Sequence, residues 1–406
     1  MNNRLLVVTP KWPWPETGAC EQDRAQGIRD FIRLGYDVRV VTHIRPSQVD
    51  SVKQDSEELG IPVYPILYHQ RPPFFKGGWK EVLARMIHPR YLDGAAYEYS
   101  LPEIQEVVRM QIEEWKPFAT VFDFSFLWPL YPIAKKNHVP IITKIQTYEA
   151  GNYLDENGVS FIKLLKFIPK YFNEKLMTRQ SDWIWAITPK ERDLFTKFGA
   201  KHVSVVPLRK LHEIIKVPAH EPKQKEVLDI VFLAASYHMR HNRFAMDYVV
   251  KEIAPRVLKK HPGKYRFHIL GKNFPEHIKA YLNEDVVHEG YVPDLQAFLA
   301  NMDVAICPSL LGHGMQQKVY EPIVKGLPLI TNARVMAGYP LEDRKEVRLA
   351  ETPDDFVKAL EELSVYENRV AQSKAARAKS FELFSTEPVD AVVQETLQFF
   401  QNADRD

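Results

Sequence analysis

The chain has little cysteine, no long apolar run and no excess of either charge. Its two cysteines in 406 residues, Cys20 and Cys307, lie far apart. That excludes a disulfide-built scaffold and suits reduced thiols in the cytosol. No stretch approaches the roughly 20 apolar residues that cross a bilayer. The apolar start Leu5–Val8 is too short for a secretory leader. Lys and Arg number 54 against 52 Asp and Glu, a formal net charge of +2, so no global field points to nucleic acid. Low-complexity tracts and short repeats are absent, which excludes solenoids. No His or Cys cluster has ligand spacing. Asp-x-Asp occurs only in Asp404-Arg405-Asp406, and a chain end that frays is a poor metal site. No metal and no cofactor are therefore expected.

What is present is apolar residue content of 45%, enough to bury large cores, in a chain too long for one ordinary core. Short apolar runs alternate with helical patterns. The first series of strands reads 4–10, 37–43, 62–68, 119–124, 140–145, 182–188 and 202–207. After a charged, proline-bearing stretch, 208–227, taken as a linker, a second series reads 228–236, 265–271, 285–292, 303–309 and 327–332. Strand, helix, strand, repeated, predicts parallel sheets covered on both faces. The expected fold is α/β, with two doubly wound Rossmann-like domains facing a central cleft. They span 1–208 and 209–386, and a last helix, 387–406, packs back on the first domain. Ligands in such sheets bind beyond the carboxyl ends of the strands.

In the second half those ends carry Tyr237–Arg243, Gly271-Lys272-Asn273, Tyr291–Asp294 and Leu310–Met315, the last leading into QQKVYEPIVKGLP (316–328). A helix start offers unpaired N–H groups and a positive dipole end. Gly312 and Gly314 allow close backbone approach, so a diphosphate fits there. Lys318 adds a cation, and Glu321, one turn on, suits a ribose diol. Pro322 requires the helix to start close to Gln317, and Gly326 permits its exit. The plainer alternative is a surface Lys–Glu pair worth about 0.2–0.5 kcal/mol.

Taken in order, FLAASYHMRHNRFAMDYVV, HILGKN, HEGYVPDLQAFLANMDVAICPS and GMQQKVYEPIVKGLPLITN resemble the C-terminal half of family 4-type glycosyltransferases of the GT-B fold, nearest to bacterial polysaccharide-type sugar transferases. The resemblance covers most of 228–332. It implies transfer of a sugar from a nucleotide sugar, UDP- or GDP-linked. Lys318 with Arg240 or Arg243 would hold the diphosphate and Glu321 the ribose. Tyr291 and Val292 would border the base. Met315, Gln316 and Gln317 would face the sugar. Tyr237 and Lys272, in the neighbouring loops, complete the expected donor-binding set with His313. There are departures: His313 stands where relatives commonly carry Glu, Pro322 where a small residue is usual, and Pro207-Leu208-Arg209 where many read Pro-Asn-Gly.

In the first half, Gly18, Trp14 and Arg24 follow the first strand and form the expected acceptor side. Trp12 and Trp14 either stack on sugar rings or pack locally, and Asp23 and Arg24 are equally readable as charges at a helix start. An inverting reaction needs a base, for which Glu149 comes first and Asp123 second; a retaining one needs none. The expected acceptor is a glycan or lipid-linked. Residues 71–92 and 161–176 interleave basic and aromatic residues, which suits peripheral contact with the inner face of the cell membrane. The other readings are a nucleotide-sugar epimerase or hydrolase on the same fold, and a non-catalytic protein with a degenerate donor site.

Overall fold

The computed structural model describes residues 2–68, 79, 83 and 92–403. The stretch 71–92, apart from Trp79, Leu83 and Leu92, and the Asp404–Asp406 tail lie outside the described residues. The chain forms two compact units. One holds Met1–Leu154, Gly158–Lys210 and Val389–Asp406; the other holds Asp155–Asn157 and Leu211–Pro388.

The first unit is built on a seven-stranded sheet ordered β3-β2-β1-β4-β5-β6-β7, every pairing parallel. The strands are β1 (Arg4–Thr9), β2 (Asp37–Ile44), β3 (Val63–Leu67), β4 (Ala119–Asp123), β5 (Ile141–Lys144), β6 (Trp183–Ala186) and β7 (Val203–Val205). Leu5–Val8 can be continuously apolar because both faces of β1 are covered. Leu5 and Val7 join one core with Ile28 and Phe31, while Leu6 and Val8 join another with Phe122 and Ile112. Its helices include α1 (Ala19–Arg33), α2 (Glu149–Asn157, whose last three residues group with the second unit), α3 (Phe161–Gln180) and α4 (Pro189–Lys197).

The second unit has six strands ordered β10-β9-β8-β11-β12-β13, again all parallel. They are β8 (Leu228–Phe232), β9 (Tyr265–Leu270), β10 (Val286–Gly290), β11 (Val304–Cys307), β12 (Leu329–Thr331) and the two-residue β13 (Arg348–Leu349), too short to show a pattern in sequence. Two of its helices, α5 (Arg240–Tyr248) and α6 (Gln317–Lys325), start just past β8 and β11. The final helix α7 (Thr386–Ala403) places Val389, Val393, Leu397 and Phe400 in the first unit's core.

The linker reading of 208–227 is corrected in part. Leu211–Lys216 is a helix with Leu211, His212, Ile214 and Ile215 buried, and Arg209 is 2% exposed. The apolar residues at 211, 214 and 215 have helical spacing, which the surrounding Lys and Glu residues masked.

In each sheet the chain reverses its winding once, between β1 and β4 and between β8 and β11. The loops after those strands flank a switch point, where open α/β sheets bind ligands.

Candidate functional site

At the switch point of the second unit, α5 and α6 begin side by side. Lys318, on the first turn of α6, donates from Nζ to Asn242 Oδ1 on α5 at 3.0 Å. Burial lowers the Lys318 pKa, against the pull of Cys307 and Glu156. An arriving anion would restore what burial removes. Gly312 and Gly314 have φ of +102° and +74°, the left-handed region that favours glycine. Gly326 ends α6 at φ +78°.

The free N–H groups of this edge already hold carboxylates. Arg240 and His241 N–H donate to Glu156 at 3.0 and 3.4 Å, and the His241 ring bonds the same group. Gly312 N–H donates to Asp155 Oδ2 at 2.8 Å, and Arg334 Nη2 donates to that oxygen at 2.6 Å. Burial alone would raise the Glu156 pKa; His241 and the two N–H groups outweigh it and hold the carboxyl below its ordinary range. These are anion sites by observation: a helix N-terminus and a glycine loop aimed at negative oxygens.

Glu321 is 5% exposed. Gln296 Nε2 donates to its Oε1 at 2.5 Å and Gln317 Nε2 to its Oε2 at 3.0 Å. These two amides fix the carboxylate in one orientation. Gln316 lies inside the loop: it accepts from Ser309 Oγ at 2.7 Å and donates to Leu311 O at 3.2 Å. Met315 is buried. His313 Nε2 lies 3.4 Å from Asp155. The guanidinium of Arg240 lies over Phe244, and Arg243 is exposed on the next side of α5. The Lys272 ammonium sits 3.9 Å from the ring centre of Tyr291, which is 63% exposed, and Val292 is half-buried beside it. Tyr237 stands apart from the rest. It is buried in the core, with its hydroxyl on Leu270 O at 2.5 Å. There it wedges the β8 and β9 loops together, since a Cβ on Gly271 would meet its ring at 2.8 Å.

In the first unit the loop after β1 lines a cavity of about 240 Å³ with Trp12, Trp14, Glu21, His43 and Tyr68 on its walls. Trp12 is buried and donates to Asp55 at 2.7 Å; Trp14 packs 4.7 Å from it and under Arg29. Gly18 caps α1, where a Cβ would meet Glu21 Oε2 at 2.7 Å. Asp23 and Arg24 are not solvated charges at a helix start: both are buried, Asp23 fully. Asp23 is bound by Arg209 through backbone N–H and Nη2 at 2.8 and 2.9 Å and by Gln146 at 2.6 Å. Asp123, buried at the end of β4, lies 3.9 Å from Arg209, and burial raises its pKa. Glu149 lines a cavity of about 10 Å³ with Asp93, Lys170 and Glu174, room for a single water. Burial pushes its pKa up to about 7.

The sequence reading missed Asn242, Glu156, Asp155 and Arg209. Arg209 alone left a signal, as a departure from the Pro-Asn-Gly pattern. No group of three or more His, Cys, Asp or Glu able to hold a metal occurs among the described residues.

The buried acids make a pH prediction. Glu191 on α4 is 4% exposed and accepts from Tyr148 N–H at 2.9 Å. Burial pushes its pKa up to about 7. A raised carboxyl pKa contributes stability that is full below its ordinary value and is lost as pH rises through 7. Melting temperature should therefore rise between pH 8 and pH 5, and Glu191→Gln should flatten that slope in calorimetry.

The family model for glycosyl transferases group 1 matches residues 228–365. No curated protein matches the sequence. Among solved structures, sucrose-phosphate synthase of Thermosynechococcus elongatus superposes with TM-score 0.69 at 12% identity, covering 98% of this chain and 100% of that one. TarM gives TM-score 0.69 at 12% identity over 98% and 99% of the two chains; other crystals identify it as the S. aureus protein. Anabaena HepE, solved with UDP and glucose, gives 0.61 at 12% over 97% and 99%. At that identity the likeness is one of fold: two parallel-sheet units in the GT-B layout.

Proposed function

From the premise that a chain with a glycosyl transferases group 1 domain in a GT-B frame is a glycosyltransferase, we propose that it takes its sugar from a nucleotide sugar held between α5 and α6. The observation that carries this is the pair of neighbouring anion sites, the α5 N-terminus and the Gly312 loop, with Lys318 bonded to Asn242 on α5. The diphosphate replaces Asp155 and Glu156 on those N–H groups. Lys318 meets the charge that grows on the leaving diphosphate as the sugar bond breaks. Glu321, already oriented by Gln296 and Gln317, accepts from the ribose hydroxyls. The Tyr291 and Val292 side borders the base. HepE was solved with UDP, which favours a UDP donor over a GDP donor. The acceptor is a glycan or lipid-linked sugar of cell-surface polysaccharide or glycoconjugate synthesis, its ring entering the cavity beside Trp14 and Tyr68. No metal takes part, because Lys318 and the helix N-termini supply the positive charge.

The test is thermal unfolding with UDP, GDP, ADP, CMP and their sugars. A ligand at about 100 times its Kd stabilises by about 2.7 kcal/mol. Stabilisation by one nucleotide family is expected, and no shift with any of them removes the reading. Sugar transfer in excess EDTA should stay at its full rate; loss restored by a divalent ion would overturn the metal-free step.

A further inference from the structure

Helix α3 faces the opposite way from an ordinary surface helix. Its buried residues are Asn173, Glu174, Met177 and Thr178, three of them polar. Its apolar residues look outward: Phe161 is 76% exposed, Leu165 52%, Ile168 47%, Phe172 58% and Leu176 42%. At 100° per residue these five fall within an arc of about 80° and span about 22 Å along the axis. Ile162 and Val159, also exposed, widen the stripe at its start. A surface helix normally buries such a stripe, and a contiguous exposed one marks an interaction surface.

Charge selects the partner. Glu174 is the one acid in residues 161–180. It is buried, its carboxylate occupied by Glu149 and Ala150 N–H at 2.8 and 3.0 Å. The charges that α3 shows to solvent are therefore positive. By helical geometry Lys166 lies on one flank of the stripe, Lys175 on the other, and Arg179 in line with its end. The stretch 71–92 repeats the composition, with Arg71, Lys76, Lys80, Arg85 and Arg90 against Glu81. Its described residues Trp79, Leu83 and Leu92 are 72%, 48% and 43% exposed. Aromatic residues beside cations favour the headgroup region of a bilayer. Among the described residues no helix is long and apolar enough to cross a membrane.

We propose that α3 docks flat on an anionic lipid bilayer, its Phe161–Leu176 stripe entering the acyl boundary and its cations meeting headgroup phosphates. A convex stripe on a single helix suits a fluid surface that conforms to it; a protein partner would have to present an apolar groove rimmed by acids. The inference stands apart from donor chemistry and is tested without any nucleotide.

The experiment is sedimentation of the full chain with vesicles of phosphatidylcholine, alone or mixed with phosphatidylglycerol, alongside analytical ultracentrifugation of the free protein. Binding to the mixed vesicles is expected, weakening as salt rises. Leu165→Ser/Ile168→Ser/Phe172→Ser should lower it about a hundredfold with an unchanged melting temperature, because all three side chains are exposed. Lys166→Glu/Lys175→Glu should lower binding to the mixed vesicles only. Wild-type protein that sediments with neither vesicle overturns the proposal, as does a serine variant that binds like wild type. A wild-type dimer that the serine variant converts to monomer without vesicle binding also overturns it, and assigns the face to a second copy of the chain.

Discussion

Lys318→Ala should lower kcat/KM about 10²- to 10³-fold, the usual effect of removing one preorganised group from a developing negative charge. Nζ sits 3.0 Å from Asn242 on the first turn of α5, so truncation removes the charge and leaves the N–H groups in place. Diphosphate-bearing ligands should lose affinity while the nucleoside alone binds as before. Glu321→Ala should do the reverse, weakening nucleoside and nucleotide alike by about 1.5–3 kcal/mol. Titration calorimetry with the two classes of ligand separates the roles. Equal losses for nucleoside and diphosphate in the Lys318 variant would sink the assignment.

Arg209→Ala should destabilise the first unit by about 3–5 kcal/mol, because it leaves Asp23 as an uncompensated buried charge. Arg209 and Asp23 are 2% and 0% exposed. Burial alone would raise the Asp23 pKa; Arg209 and Lys144 outweigh it and hold the carboxyl far below its usual range. A depressed carboxyl pKa gives stability that is present above the ordinary aspartate range and lost only as pH falls below it. The cost of Arg209→Ala should therefore be the same at pH 6 and pH 8. Gly27→Ala gives a companion test. A Cβ there would stand 1.8 Å from Arg209 Nη1, so alanine must push the guanidinium off Asp23. That contact accounts for a glycine inside α1, where it costs about 1 kcal/mol against alanine. Urea denaturation of both variants measures the effect; a loss below 1 kcal/mol for Arg209→Ala would mean that the pair contributes little.

Much of the frame was legible in the residues. Every strand but β13 matches a range read from apolar runs, with β2 running one residue further, to Ile44, because burial on both sheet faces requires such runs. The start of α6 at Gln317 followed from Pro322, and its end from Gly326, since both rules are local to the backbone. The glycine loop, Lys318 and Glu321 could be picked out for the same reason: positive-φ glycines and residues one helical turn apart are local features of one short stretch.

What spacing could not supply is which distant partner each polar group finds. Asp23 and Arg209 are 186 residues apart, and Lys318 and Asn242 are 76 apart; only the strand order brings them together. Tyr237 sits in a loop of polar residues, yet the fold turns its ring into the core. Helix α3 gives the sharpest division. Its sequence determined that one stripe would be apolar and that nearly all its charges would be positive. Whether that stripe faced a core or the solvent depended on the neighbouring elements. The N–H groups at the start of α2 needed a buried acceptor, Glu174 supplied it, and this turned the polar side of α3 inward and its apolar side out.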